Sequence, residues 1–179
     1  MDRWHQAAFE PLRQPSDFEA IRRLPARPPV TIHPMQAHHP AILFPMFALA
    51  GWTFLILLLI AITRIHAGLC GRIVPDDFRL GESAAVPERV RLPNRNYMNL
   101  LELPMLFYVV CLLLYVTGQH SAATLALAWA YVGLRVLHSL IHLTYNHVLH
   151  RLAAFALSNA AVIAMWVLAG LGVASGAGA

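Results

Sequence analysis

The chain has 179 residues, of which 58% are hydrophobic and only 12% are charged, and its mean hydropathy is +0.57. This composition is too apolar for an ordinary soluble domain and predicts an integral membrane protein. The formal net charge of +4 comes from arginine without any lysine. Because basic residues beside membrane spans are typical of topology signals and lipid-headgroup contacts, no nucleic-acid partner is expected.

Residues 1–39 form a polar segment that six prolines interrupt. Proline removes a backbone donor and fixes φ, so a stretch this rich in proline is not expected to build a packed core. We therefore predict a polar, proline-rich N-terminal tail over residues 1–39 and a membrane domain over residues 40–179.

Four apolar stretches follow, each long enough to cross a hydrocarbon core of ~30 Å as a helix of ~20 residues. They cover about residues 41–63, 97–117, 121–145 and 151–174. The first contains no ionisable group and is expected to serve as a wall of the bundle. The loop between the first two spans, residues 64–95, is longer than usual helical connections, which indicates a function or partial order.

The connections after the second and third spans are short, and this predicts the fold. Only Gly118, Gln119 and His120 separate the second span from the third, and a turn that short makes neighbouring helices antiparallel. We therefore predict an all-α integral membrane protein, an antiparallel four-helix transmembrane bundle surrounded by lipids. The start of the second span, the end of the third and the start of the fourth then lie at one membrane face. The all-arginine usage favours a GC-rich genome and hence a bacterial inner membrane.

The second and third spans carry polar side chains at helical spacing. In each span these polar side chains follow one another at steps of four and three residues, so within each span they lie on one helical face. The residues are Arg95, Asn99 and Glu102 on the second span and Tyr131, Arg135, His138, His142 and Tyr145 on the third. At the bilayer centre a charge costs at least ~2.5–3.5 kcal/mol, so these faces are expected to meet protein, water or a polar ligand.

Glu102 and Arg135 are expected to form a structural ion pair or a network shared with Asn99, within one subunit or across a subunit interface, because an arginine side chain can bridge their difference in depth. Arg95 and Arg151 add positive charge at the same membrane face. Lone membrane histidines usually make interhelical hydrogen bonds, so a structural role and a ligand contact both stay open for His138 and His142.

Several arginines, an amide and a carboxylate at one face suit a small anionic ligand that also carries an ammonium group. Arginine binds carboxylates bidentately, and glutamate pairs with an amine. A glutathione-like tripeptide fits this description. A guanidinium beside its thiol would favour the thiolate and so create a nucleophile at neutral pH.

The segment PERVRLPNRNYMNLLELPMLF resembles the signature of the MAPEG superfamily, the membrane-associated proteins in eicosanoid and glutathione metabolism. The second helix of that family opens with Arg-x-x-x-Asn-x-x-Glu, and Arg95, Asn99 and Glu102 stand at those places. The segment LRVLHSLIHLTYNHVLHR is similar to the third-helix region of bacterial members. The resemblance covers roughly residues 41–174.

The resemblance implies a homotrimer of four-helix subunits that binds glutathione, as a co-substrate, between neighbouring subunits. The implied function is that of a microsomal-type glutathione transferase or peroxidase acting on small lipophilic electrophiles. By this similarity Arg95, Asn99 and Glu102 would hold glutathione. His138 and His142 are further candidate contacts because of their place on the polar face of the third span. Arg151 would stand near the place of the family's thiolate-activating arginine and is the candidate catalytic residue.

Two alternatives remain. Catalytic family members often have a tyrosine directly after the motif glutamate, where this chain has Leu103, so a non-catalytic bundle that binds lipid or a partner protein stays open. A metal or haem protein ligated by His138 and His142 is the second alternative, since neutral imidazole suits both. The preferred interpretation contains no metal site.

Overall fold

The computed structural model of the protein describes residues 40–79 and 81–176, and the tail predicted at residues 1–39 lies outside the described residues. Within the described ranges the chain forms five α-helices and two short 3₁₀ helices, and it forms no β-strand. The α-helices are α1 (Leu43–Leu69), α2 (Glu88–Glu102), α3 (Pro104–Val116), α4 (Ala122–Leu143) and α5 (Val148–Gly176), and the 3₁₀ helices are Pro40–Ile42 and Pro75–Phe78.

Four helical segments of the described chain are long and apolar enough to cross a membrane. They are Pro40–Leu69, Glu88–Val116, Ala122–Leu143 and Val148–Ser175. The second segment consists of α2 and α3, which meet at Leu103. Pro104 has no N–H to donate to the carbonyl of Leu100, so the helical hydrogen bonding is interrupted there. The predicted all-α fold with four membrane-spanning helices is confirmed.

The first two spans extend beyond their predicted ends. α1 continues to Leu69 rather than residue 63, and α2 begins at Glu88 rather than residue 97. Hydropathy marks where apolar residues stop, whereas a helix continues past that point when arginine side chains lie along it and keep their charged ends in water. The connection between them therefore covers residues 70–87, not residues 64–95.

This connection is held by its own polar side chains. Asp77 Oδ2 accepts the backbone N–H of Val74 at 2.9 Å, and Asp77 Oδ1 accepts the hydroxyl of Ser83 at 2.9 Å. Arg64, near the end of α1, donates to Glu82 at 2.8 Å. The described part of the loop is thus ordered and tied to α1.

α4 and α5 make the most extensive contact in the bundle. They are joined by Thr144 to His147 only, and so short a connection makes them antiparallel neighbours. α4 also contacts α3, where the ring of Phe107 stacks on that of Tyr131 with centroids 4.4 Å apart. Large apolar side chains such as Phe54 and Leu171 are exposed on the outer faces, as expected for helices that meet lipid.

Candidate functional site

A cleft opens between α2, the C-terminal half of α4 and the first turns of α5. Its volume is about 540 Å³, within the ~300–1,000 Å³ typical of small-molecule sites. Its polar walls are Asn94, Arg95, Asn99, His138, His142 and Arg151, and its apolar walls are Met98, Val148, Leu152 and Phe155. The short connections of the bundle therefore bring polar residues from three spans to one place.

Five of the six residues predicted to contact the ligand line this cleft. They are Arg95, Asn99, His138, His142 and Arg151. Glu102, the sixth, does not line it: it is the last residue of α2, and its side chain is exposed on the surface of the subunit. The four- and three-residue spacing places Glu102 on the same face of α2 as Asn99, but farther along the span.

The ion pair predicted between Glu102 and Arg135 is not formed within one subunit. Arg135 is fully buried, with 0% of its surface exposed, and its Nη2 donates to Asn159 Oδ1 at 2.9 Å. Its guanidinium also lies 5.1 Å from the ring centroid of Phe155 and 5.2 Å from that of Tyr131. The expectation is corrected because α4 turns Arg135 toward α5, whereas α2 turns Glu102 to the surface. A pair across a subunit interface stays a prediction.

Arg151 is held in place by the end of α4. Its Nη1 lies 2.7 Å from His142 Nδ1 and 2.9 Å from Asn146 Oδ1. An –NH₂ group of guanidinium carries two hydrogens and accepts none, so it can donate to both atoms. Within the described residues the other guanidinium nitrogens of Arg151 have no hydrogen bond, so they are available to a ligand.

His138 and His142 lie one helical turn apart on α4, with ring centroids 6.1 Å apart. Both are buried, with exposed fractions of 4% and 3%. His138 Nδ1 pairs with the backbone carbonyl of Arg151 at 3.1 Å. In both rings Nε2 is buried without a hydrogen-bond partner, and a buried polar atom left so costs about 1–3 kcal/mol.

The cleft is cationic. Of the described residues that line it none is acidic, and Arg95 and Arg151 both lie within electrostatic reach of the His142 ring. Arg135 adds a third positive charge behind the wall, since its guanidinium faces the ring of Phe155, which lines the cleft. Arginines that converge in a partly dehydrated recess favour an anionic ligand.

The comparisons with known proteins show the family of this chain. The family model for the MAPEG family matches residues 42–171. The chain belongs to the MAPEG family. No curated protein and no solved structure gave a match. As a MAPEG member the chain is an integral, multi-pass membrane protein of the kind that acts in eicosanoid and glutathione metabolism, and the matched range contains α1 to α4 and most of α5.

Three residues that support the site of this MAPEG protein were missed in the sequence. Asn146 binds Arg151, Asn159 binds Arg135, and Phe155 lies between the buried guanidinium and the cleft. Asn159 could have been predicted, because an amide in the middle of an apolar span needs a hydrogen-bond partner just as an arginine does. Asn146 is indicated less strongly, as an asparagine that follows the end of a helix.

The described residues of the MAPEG protein contain no group of three or more histidine, cysteine, aspartate or glutamate side chains placed to hold a metal ion. His138 and His142 each have Nδ1 engaged by α5 or by the turn before it. A cleft with two imidazoles and no carboxylate or thiolate resembles an anion site more than a metal site.

Proposed function

We propose that this MAPEG protein binds glutathione in the cleft between α2, α4 and α5 and uses it as co-substrate against small lipophilic electrophiles. The observation that carries the proposal is the convergence of Arg95, Asn99 and Arg151 on one recess, whose lining, as far as the structure describes the chain, contains no acidic residue. Glutathione has two carboxylates, and arginine and amide groups are matched to them. The proposed activity is that of a membrane-bound glutathione transferase or peroxidase, in a bacterial inner membrane.

Arg151 is the proposed activating residue. Two donor bonds from Nη1 to His142 and Asn146 fix its guanidinium, and the remaining nitrogens are left for the sulfur. A positive charge beside a thiol stabilises the thiolate relative to the thiol, so the nucleophile exists at neutral pH. Because the guanidinium is preorganised, little side-chain entropy is lost when the thiolate forms.

Glu102 is the proposed partner of the glutathione ammonium group, in a site completed by a neighbouring subunit. The carboxylate is exposed on one subunit yet lies inside the apolar part of the span, which begins near residue 97. A charge inside the apolar part of a span is costly against lipid. A homotrimer whose subunits cover Glu102 would remove this penalty and bring the carboxylate to a cleft edge.

The test is glutathione binding by the purified, detergent-solubilised protein, measured by equilibrium dialysis and by thiolate absorbance. We expect Arg95→Gln to weaken binding about tenfold or more, since a charge-assisted hydrogen bond contributes about 1.5–3 kcal/mol. Arg89→Gln is the matched control, because Arg89 is an exposed arginine on the same helix that does not line the cleft. Equal affinity in the wild type and the Arg95 variant would contradict the proposed site.

Turnover separates the enzyme from the non-catalytic alternative. Conjugation of glutathione to a halogenated nitrobenzene by the wild type, lost on Arg151→Gln, supports a transferase. Binding of glutathione without conjugation or peroxide reduction would instead favour a bundle that presents lipid or a partner, as Leu103 after the motif glutamate allows.

A further inference from the structure

We propose that a groove between the end of α1, the start of α2 and the end of α4 binds an anionic phospholipid. Arg72 and Arg89 bind the lipid phosphate, and the first part of an acyl chain lies against apolar side chains of the same groove. No residue lines both this groove and the glutathione cleft. The inference therefore goes beyond the proposed function and does not depend on it.

The groove consists of two adjoining cavities. Their volumes are about 480 Å³ and about 390 Å³. Thr63 of α1 and Arg89 of α2 line both of them. Because one residue of each helix borders both cavities, the cavities lie next to each other along the same pair of helices.

The two cavities differ in polarity. The charged and ionisable residues of the larger cavity are His66, Arg72, Glu88 and Arg89. Apart from the shared pair and Thr144, the smaller cavity is lined by Leu59, Leu92, Pro93 and Leu143. A ligand that fills the whole groove therefore needs an anionic part joined to an apolar part.

The apolar cavity is the one nearer the bilayer centre. Leu59 belongs to the apolar run of α1 that ends at residue 63, whereas His66 follows that run and lies about 10 Å farther along the helix at ~1.5 Å per residue. On α2 the order agrees, because Leu92 is closer than Arg89 to the apolar stretch that begins near residue 97. A phospholipid has the same order, with its phosphate in the headgroup layer and its chains in the hydrocarbon core.

Arg72 is fixed beside α1 by the way that helix ends. Gly71 has a φ of 66° and donates its N–H to the carbonyl of Gly68 at 2.9 Å, and the N–H of Arg72 donates to the carbonyl of Ala67 at 2.9 Å. These two bonds form a Schellman motif, which closes a helix. The backbone of Arg72 is thus held at the groove, and only its side chain has to become ordered when a ligand binds.

The two arginines of the groove lack a counter-charge. Within the described chain neither Arg72 nor Arg89 forms a hydrogen bond or an ion pair through its side chain, whereas Arg64 close by is paired with Glu82 at 2.8 Å. Glu88 is the one acidic side chain among the described residues that line the groove. It is the first residue of α2, where the positive end of the helix offsets its charge.

Phosphate supplies the missing counter-charge. Guanidinium groups bind phosphate oxygens through two parallel hydrogen bonds, and basic pockets between membrane helices recognise the headgroups of anionic lipids. A soluble phosphate ester would satisfy the arginines but would leave the apolar cavity unfilled. The two cavities together therefore favour a phospholipid.

The first experiment titrates phosphatidylglycerol into the detergent-solubilised protein and counts bound lipid by native mass spectrometry. We expect saturable binding of one lipid per subunit. Arg72→Gln and Arg89→Gln should each weaken binding about fivefold, as for the loss of one basic contact with an anionic lipid. Both arginines are exposed and unpaired among the described residues, so neither substitution is expected to lower the melting temperature of the lipid-free protein.

Arg79→Gln is the matched control, since Arg79 is an exposed arginine of the same connection that does not line the groove. Its lipid affinity should equal that of the wild type. Arg95→Gln should also keep full lipid affinity while it weakens glutathione binding, so failure of one site can be told from failure of the other. Wild-type lipid affinity in both Arg72→Gln and Arg89→Gln would overturn the inference.

The second experiment compares three ligands with the wild type. They are phosphatidylglycerol, phosphatidylcholine with the same acyl chains, and glycerophosphoglycerol, which is the headgroup without chains. We expect phosphatidylglycerol to bind most tightly, because it alone combines net negative charge with an apolar part. Equal binding of phosphatidylcholine would show that the arginines do not select an anionic lipid. Equal binding of glycerophosphoglycerol would make the groove a site for soluble phosphate esters, and either result would overturn the inference.

Discussion

Asn146 shows how a single residue links the end of a helix to the chemistry of the cleft. Three helices of the described chain end near a residue in the left-handed region: Gly71 (φ 66°), Gly118 (φ 68°) and Asn146 (φ 46°). Glycine adopts that conformation without strain, whereas a side chain there costs about 1–2 kcal/mol, less for asparagine. At the end of α4 the side chain has a second role, because it accepts from Arg151.

We therefore expect Asn146→Gly to separate the two roles. Glycine suits the backbone, so the melting temperature should stay the same or rise slightly. The guanidinium of Arg151 loses one of its two acceptors, and a hydrogen bond contributes about 0.5–1.5 kcal/mol. Glutathione affinity should accordingly weaken about threefold to tenfold, measured by equilibrium dialysis alongside a thermal melt.

Asn146→Ala is the companion variant. It removes the same acceptor and places a Cβ in the left-handed region, so it should lose affinity to a similar degree and stability as well. Full affinity in the glycine variant would show that His142 alone is sufficient to orient Arg151.

Helix ends could be predicted from the sequence where an apolar stretch gives way abruptly to polar residues. They could not be predicted where the helix continues through charged residues. The apolar runs gave the number and order of the spans, and the spacing of His138 and His142 gave the polar face of α4. Helical spacing states which residues share a face but not what covers that face. For that reason Asn99 lines the cleft while Glu102 is exposed, and the partner of Arg135 proved to be an amide of α5.

The loop between α1 and α2 is a second feature whose hydrogen bonds could not be predicted from the sequence. The loop predicted at residues 64–95, with six arginines and four acidic residues, contains no hydrophobic period from which order can be predicted. The order comes from specific hydrogen bonds: Asp77 accepts from Val74 and Ser83 through its two side-chain oxygens. Such local bonds depend on backbone geometry that only the folded chain shows.

We expect Asp77→Ala to loosen this loop without unfolding the spans. The variant loses the side-chain cap of the 3₁₀ helix Pro75–Phe78 and the bond to Ser83, and loss of a cap costs about 0.5–2 kcal/mol. Hydrogen exchange of residues 74–86 should become several-fold faster, while exchange in α4 and α5 stays unchanged. Asp76→Ala is the control, because within the described chain the Asp76 side chain makes no hydrogen bond; equal exchange in both variants would argue against the cap.

Glu102 is a test of assembly, because the free-energy cost of its charge depends on whether lipid or a neighbouring subunit surrounds it. α2 begins at Glu88, but its first residues are polar and the apolar stretch begins near residue 97. Glu102 therefore lies about 8 Å inside the apolar stretch at ~1.5 Å per residue. The side chain is exposed in one subunit. Arg135 is fully buried in its own subunit, so a cross-subunit pair with it requires α4 and α5 to part, whereas Arg95 is exposed.

The Glu102→Leu substitution should weaken assembly if a neighbouring subunit covers the carboxylate and should stabilise the protein if lipid surrounds it. If a neighbouring subunit pairs with the carboxylate, its removal leaves a buried partner without a counter-charge, which costs about 3–5 kcal/mol of association free energy. The association constant of the trimer, measured by native mass spectrometry, should then fall more than 100-fold. If the carboxylate faces lipid, leucine removes a penalty that reaches ~2.5–3.5 kcal/mol at the bilayer centre, and the protein becomes more stable with its assembly unchanged. Glu88→Leu, an exposed carboxylate at the first residue of α2, should leave the association constant unchanged because water reaches that end of the helix. A Glu102 variant that is stabilised and still assembles normally would therefore remove this carboxylate from any subunit interface.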